Sequence, residues 1–318
     1  MELYEAAKGF QRGYFSTHNR SERTKKAYAI DLEQFLEYIG EAEEVESLLP
    51  DDLEQWAAEL KAREYAPASI RRKFATLRVF FSYWVRKGVL DRSPLWQIRL
   101  DLAPPRKLTR TLSAEEMQDL LKAAHRAAHW PNGIGSGPME PADKDFLGLR
   151  NLTIVEVLFA TGIRVGELVA LRVGDYRASE SVFTIEGKGA RQRLAFLPDE
   201  RSRGVFEAYL GIRRAMVTSH EKLLVNSWGT ALTTQGVAGV VRKLAEEAGI
   251  DRRVTPHMLR HTVATLLLRN GADLRVVQEF LGHASISTTE RYTAVSKEHL
   301  TASLREFHPN KLVSIFRT

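Results

Sequence analysis

Residues 255–271 read TPHMLRHTVATLLLRNG. Thr255 is a favoured N-cap residue, and Pro256 suits the first helical position, where its missing N–H would be unpaired anyway. Gly271 is placed to stop the helix. Val263, Ala264, Leu266 and Leu267 give it an apolar face at helical spacing. His257 and Arg260 are three residues apart and so project from one side of the first turn. That turn also offers unpaired backbone N–H groups and the positive end of the helix dipole. An arginine, a histidine and a helix N-terminus together favour a phosphate. His257 and His261 also have the i, i+4 spacing of a helical metal pair. The metalloprotease pattern requires Glu after the first His, and Met258 stands there. Arg260 would add positive charge where a dication would sit, so the metal reading is disfavoured. Within this stretch alone, an anion site and mere decoration of a helix start account for the residues equally well.

The whole chain narrows the choice. Its 318 residues suggest about two domains, and its hydrophobic content of 44% is enough for real cores. The sequence has no run of roughly 18 apolar residues, and MELYEAAKGFQRG at the N-terminus has no apolar signal core. The cysteine count is 0, which excludes disulfides, thiolate catalysis and cysteine zinc sites and suits a reducing cytoplasm. The net charge of +6 raises the prior for nucleic acid without deciding it.

Residues 1–100 read as helices. Tyr28, Leu32, Phe35, Leu36 and Ile39 recur at helical spacing, and Pro50 opens an acidic-first helix. The spacing predicts a further helix over residues 69–87, stopped by Gly88, with Ile70, Phe74, Leu77, Phe81 and Trp84 as its buried stripe. Arg71, Arg72, Lys73, Arg78, Arg86 and Lys87 are read as lying off that stripe, and no acidic residue occurs from Ala66 to Leu90. A solvated basic face and a face for DNA-backbone contact explain this helix equally well.

Pro104-Pro105 and the basic residues after them mark a linker over residues 104–112. Ser113 and Glu116 form a capping box for the next helix. Residues 130–145 are rich in Gly and Pro and read as a long loop. A helix over residues 148–161 ends before Gly162, and Arg164 starts another. SVFTIEGKGARQRLAFLP, residues 181–198, is the clearest β signal: two short runs around a Gly-Lys-Gly turn that carries Lys188. Short helical segments follow residue 271, the second of them carrying Tyr292.

Each signal is weak alone, but their order is distinctive. ATGIRVGEL, then GKG on a hairpin, then HMLRH, then LGH, then a tyrosine nine residues after that histidine resemble the tyrosine recombinase family of phage integrases and Xer-like recombinases. The resemblance covers nearly the whole chain. It implies a mainly α two-domain protein. An N-terminal SAM-like helical bundle, the DNA-binding core-binding domain, would span residues 1–103. An α-rich catalytic domain with a small antiparallel sheet would span residues 113–318. The two would form a C-shaped clamp around duplex DNA.

The implied chemistry is metal- and ATP-independent strand transfer without a cofactor. Tyr292 would attack a backbone phosphate and form a 3′-phosphotyrosyl bond. Arg164 and Arg260 would hold the non-bridging oxygens, His257 would donate to a phosphate oxygen or accept the tyrosine proton, His283 would add a hydrogen bond to the phosphate, and Glu167 would orient and buffer the site. Lys188 would protonate the leaving 5′-oxygen. Arg191 and Arg193 are either DNA contacts or residues of a soluble turn. The implied partners are double-stranded DNA with an inverted-repeat site, a homotetramer on two paired sites joined through a Holliday junction, and a possible partner recombinase or accessory protein. The setting would be the cytoplasmic nucleoid. Leu312, Val313, Ile315 and Phe316 in the tail either pack on their own protomer or dock on a neighbour. Residues 130–145 look longer than in Xer-like relatives, which leaves dimer resolution and mobile-element integration both open. Two rivals carry similar residues: a relaxing type IB topoisomerase, and a DNA-binding protein without cleavage.

Overall fold

The computed structural model describes residues 1–98, 111–129, 143–186, 192–216, 218–282 and 297–311. The chain forms two compact units, Met1–Leu108 and Thr109–Thr318. Each has its own hydrophobic core.

The first unit is helical among its described residues. It comprises α1 (Leu3–Thr17), α2 (Glu22–Ile39), α3 (Pro50–Ala62) and α4 (Pro67–Arg86). Ser21 caps α2 by accepting from the Thr24 N–H. The core is aromatic: Phe10, Phe35, Trp56, Phe80 and Phe81 are buried and meet largely edge-on. Helix α4 starts two residues before the expected Ser69, at Pro67, whose fixed φ suits a first turn.

The basic run on α4 requires a correction. Arg78, Arg86 and Lys87 are exposed, but Lys73 is buried, with 1% of its surface accessible. Its ammonium donates to Asp31 Oδ1 at 3.3 Å and to Gln34 Oε1. Asp31 is itself fully buried and also accepts from Arg72 and from Thr76 Oγ1. Lys73 lies three residues after Ile70 and four before Leu77, on the buried side of the helix. A carboxylate on α2 makes that placement tolerable, because a buried charge needs a hydrogen-bonded partner. Lys73 is therefore unavailable to an external phosphate.

The second unit is built around α6 (Lys144–Thr161), which is apolar and buried along nearly its whole length. Packed about it are α5 (Ala114–Ala127), α8 (Glu200–Ala215), α9 (Thr234–Glu247) and α10 (Pro256–Arg269). The expected capping box starts α5, with Ser113 and Glu116 bonding reciprocally. Helix α7 (Val165–Ala170) is a single short turn after Gly162. The sheet has β1 (Tyr176–Arg177), β2 (Val182–Glu186) and β3 (Gln192–Phe196) in the order β1-β2-β3. All its pairings are antiparallel, and Ile185 lies opposite Arg193. β1 was not expected from the sequence, since two residues carry no alternation.

Helix α11 (Leu274–Leu281) follows α10, and α12 (Lys297–Phe307) packs against α11. Leu300 and Leu304 join this unit's own core. Beyond α12, the His308 ring sits 6.0 Å from that of Phe159 and 6.1 Å from that of Phe280. Burial pushes the imidazole down to about 4, so it is neutral at neutral pH. The segment through residue 311 thus packs on its own unit. Leu312, Val313, Ile315 and Phe316 lie outside the described residues.

Candidate active site

The opening stretch folds as its residues dictate. Thr255 accepts the Met258 N–H at 3.3 Å, and Pro256 is the first residue of α10. Val263, Leu266 and Leu267 are buried. Its polar residues divide: His257 and His261 are exposed, whereas Arg260 is buried. The Arg260 guanidinium donates through Nη1 to the carbonyl of Gly162 and through Nη2 to that of Leu281 at 2.6 Å.

Gly162 ends α6 in a left-handed conformation, with φ +58°. Leu281 and Phe280 press against it so closely that a Cβ would collide with Leu281 Cδ2. Both the backbone angle and the close packing therefore call for glycine. Two residues on, Arg164 precedes the first turn of α7. Its backbone N–H donates to Glu167 Oε2 at 2.8 Å, and its Nη1 donates to Glu167 Oε1 at 2.8 Å. Its Nη2 reaches the Gly282 carbonyl at 3.4 Å.

A third arginine converges here from the sheet. Arg193 donates through Nη2 to Glu167 Oε2 at 2.8 Å and through Nη1 to the Phe280 carbonyl at 3.2 Å. Its side chain is 16% exposed. Neither a soluble turn nor an outward DNA contact describes it. The sequence reading placed it beside the hairpin tip, but it is the second residue of β3, and the partner that draws it inward is 26 residues away.

Three consecutive carbonyls at the C-terminal end of α11 thus each receive a different arginine: Phe280 takes Arg193, Leu281 takes Arg260 and Gly282 takes Arg164. That end carries the negative pole of the helix dipole and unpaired carbonyls, so it attracts cations. Glu167 is the carboxylate paired directly with Arg164 and Arg193, and Glu279 adds a weaker negative charge near Arg193, so the three guanidinium groups outnumber the carboxylates around them among the described residues. Burial, then the charges of Arg164 and Arg193, lower Arg260 to about 10. Burial foremost also lowers Arg193, with Arg164 adding to it. Burial would raise Glu167, but the Arg164 N–H bond and the charges of Arg193 and Arg164 outweigh it and hold it low. The three guanidinium groups stand crowded together at this point. Each Nη carries a second N–H, so donors remain for an oxyanion.

Lys188, Arg191, His283 and Tyr292 lie outside the described residues. The other two tyrosines of this unit have settled roles. Tyr209 is fully buried and donates to the Leu223 carbonyl at 2.9 Å, and burial raises its hydroxyl well above the usual range. Tyr176 is 5% exposed, donates to Glu207 Oε1 at 3.1 Å and is raised, by burial first, to about 12. Neither is accessible to a large substrate.

A family model described as the phage integrase family matches residues 110–299. A second, described as the phage integrase N-terminal SAM-like domain, matches residues 7–88. The chain belongs to the phage integrase family. Among its relatives in that family, the tyrosine recombinase XerC of Listeria innocua is 34% identical over 301 residues, covering 92% of this chain and 94% of the relative. The tyrosine recombinase XerD of Halalkalibacterium halodurans is 34% identical over 295 residues, covering 91% and 92%. Among solved structures, the XerH site-specific recombinase bound to its difH substrate before cleavage superposes with a TM-score of 0.65 at 25% identity, covering 90% of this chain and 79% of that one. The Tn1549 transposon integrase with circular-intermediate DNA has a TM-score of 0.71 at 17% identity, covering 96% and 99%, a likeness of fold. The integrase-family chain has no helix, among the described residues, long and apolar enough to cross a membrane.

Proposed function

We propose that this chain is a site-specific DNA recombinase that cuts and rejoins DNA through a 3′-phosphotyrosyl intermediate. The observation that carries the reading is the cluster of Arg164, Arg193 and Arg260 around the Glu167 carboxylate, in a family whose relatives are named tyrosine recombinases. A transferring phosphoryl group gains charge on its non-bridging oxygens. Preformed donors in a water-poor site stabilise that charge most effectively. Arg164 and Arg260 take this role, which elsewhere a metal fills. The reaction then needs neither metal nor ATP.

Tyr292 is the nucleophile in this reading, and the burial of Tyr176 and Tyr209 supports the assignment. Its proton passes to His257, which is exposed on the first turn of α10. The new bond joins the phenolic oxygen to phosphorus, and the bond to the 5′-oxygen breaks. Lys188 donates the proton that makes this oxygen a hydroxyl. His283 donates to a non-bridging oxygen. The retained phosphodiester energy drives rejoining to another strand. Two protomers occupy an inverted-repeat site, and two sites meet in a tetramer that passes through a Holliday junction, with or without a partner recombinase or accessory protein. Residues 1–103 form the core-binding domain, 104–112 the linker and 113–318 the catalytic domain. Arg71, Arg72, Arg78, Arg86 and Lys87 contact the DNA backbone, with Arg191 beside them at the hairpin.

The test uses a duplex selected by the full chain from a random-sequence pool. A nick beside the scissile phosphate lets the cleaved fragment diffuse away and traps the adduct. The wild-type chain should form a covalent adduct at Tyr292 in excess chelator, and Tyr292→Phe should bind the duplex normally and form none. An adduct at Tyr176 or Tyr209, or a strict metal requirement, would overturn the mechanism. Full relaxation of plasmid by monomers without strand exchange would favour a topoisomerase.

A further inference from the structure

Arg193 has no task in the chemistry above, yet its side chain is mostly withdrawn from solvent, charged and engaged at both ends of its guanidinium. A solvated or DNA-contacting arginine would keep its head in water. The backbone also makes room for it. A Cβ on Gly282 would overlap Cδ and Nε of Arg193, so the glycine of the LGH motif serves this approach as well as its left-handed φ of +63°.

Its place between its partners indicates what it does. Glu167 divides its carboxylate: Oε1 goes to the Arg164 guanidinium, while Oε2 is shared by the Arg164 N–H and Arg193. Without Arg193, the full Glu167 carboxylate charge would fall on Arg164, and the cluster would lose one of its three cations. Arg193 also ties β3 to the first of the three carbonyls that receive the arginines. Strand β3 follows directly on the hairpin that carries Lys188 in the sequence. The planar fork matters, because its two Nη groups sit in a fixed, separated geometry that reaches one acceptor on each of two elements, which the compact point charge of a lysine does not reproduce.

We propose that Arg193 is a positioning residue. By neutralising Glu167 and fixing the end of α11, it leaves Arg164 free to bind the scissile phosphate beside Arg260. The proposal rests on the recombinase reading above and assigns Arg193 no direct contact with DNA.

The test measures single-turnover adduct formation on the nicked duplex, at saturating protein, for Arg193→Gln, Arg193→Lys, Glu167→Gln and the double variant Arg193→Gln/Glu167→Gln. Melting curves verify that each variant is folded. Arg193→Gln should slow cleavage about 10- to 100-fold, the range seen when groups that orient metal ligands are removed. Arg193→Lys keeps the charge against Glu167 and should lose less. Adding Glu167→Gln to Arg193→Gln should restore at least about threefold of the rate, since a neutral amide no longer competes for Arg164. A merely structural role predicts that the two losses add. The salt dependence of duplex binding should be unchanged in Arg193→Gln. A slope shallower by about one would mean a direct phosphate contact and would overturn the proposal. Additive losses, equal rates for the Lys and Gln variants, or a wild-type rate in Arg193→Gln would each overturn it too. No adduct from the wild-type chain would instead overturn the recombinase reading, and this role with it.

Discussion

Replacing Arg260 by alanine should separate catalysis from stability, and the surroundings of the side chain set both magnitudes. The substitution removes two charge-assisted hydrogen bonds and leaves the buried carbonyls of Gly162 and Leu281 without those donors. An abandoned buried acceptor costs about 1–3 kcal/mol, so two cost about 2–6 kcal/mol. The opposing effect is the relief of a crowded cation. Arg260 is lowered by about two to three units from the usual arginine value, to about 10, chiefly by burial and secondarily by Arg164 and Arg193. A cation with a lowered folded-state pKa is better tolerated in the unfolded chain. At 1.36 kcal/mol per unit, removing it returns roughly 3 kcal/mol. The net effect runs from a gain of about 1 to a loss of about 3 kcal/mol, so the melting temperature falls by no more than about 12 °C for a unit of this size. Catalysis has no such compensation. Losing one preformed oxyanion donor costs about 10²–10³ in rate. Arg260→Lys keeps the charge but loses the fork, and should also fall well short of wild type. Calorimetry and single-turnover adduct formation on the nicked duplex read the two effects separately. A near-native rate for Arg260→Ala would refute the clamp. A melting loss beyond about 15 °C would refute the balance of charge against hydrogen bonds.

Lys188→Ala should cleave ordinary DNA very slowly but recover nearly the wild-type rate when sulfur replaces the bridging 5′-oxygen, because a thiolate leaves without a proton. Arg260→Ala should gain nothing from sulfur, and failure of sulfur to rescue Lys188→Ala would remove Lys188 as the acid. Neutralising Arg71, Arg72 and Arg78 together should flatten the salt dependence of duplex binding by up to about three units of slope, whereas Lys73→Met should leave it unchanged. An unchanged slope in the triple variant would make the α4 face a solvated one. Asp31→Ala should destabilise the first unit by about 3–5 kcal/mol in a denaturant melt, because it strands the buried Lys73 ammonium. Adding Lys73→Met should recover most of that loss, and a failure to recover would show that Asp31 acts through other partners.

Local and periodic features of the sequence were enough to determine many of the elements, though β1, α8 and α9 were not read from it. Thr255-Pro256, Ser113 with Glu116, and the stripe Ile70, Phe74, Leu77, Phe81 and Trp84 each depend on neighbours within one or two helical turns, so residue type alone reveals them. The order of the motifs also pointed to the family, and the family models match it across both units. What a side chain does depends instead on partners brought close by folding. Lys73 and Arg78 stand in one basic run, yet a carboxylate 42 residues before Lys73 holds it in the core and leaves Arg78 outside. Arg193 resembled a hairpin surface residue until Glu167 and the Phe280 carbonyl claimed it. Three successive backbone carbonyls receive three arginines, and no residue pattern could announce them, since every residue has a carbonyl. Helix ends and turns follow from short-range sterics, which the sequence carries directly. Burying and orienting charge depends on groups tens of residues apart, and tertiary packing alone decides which of them meet.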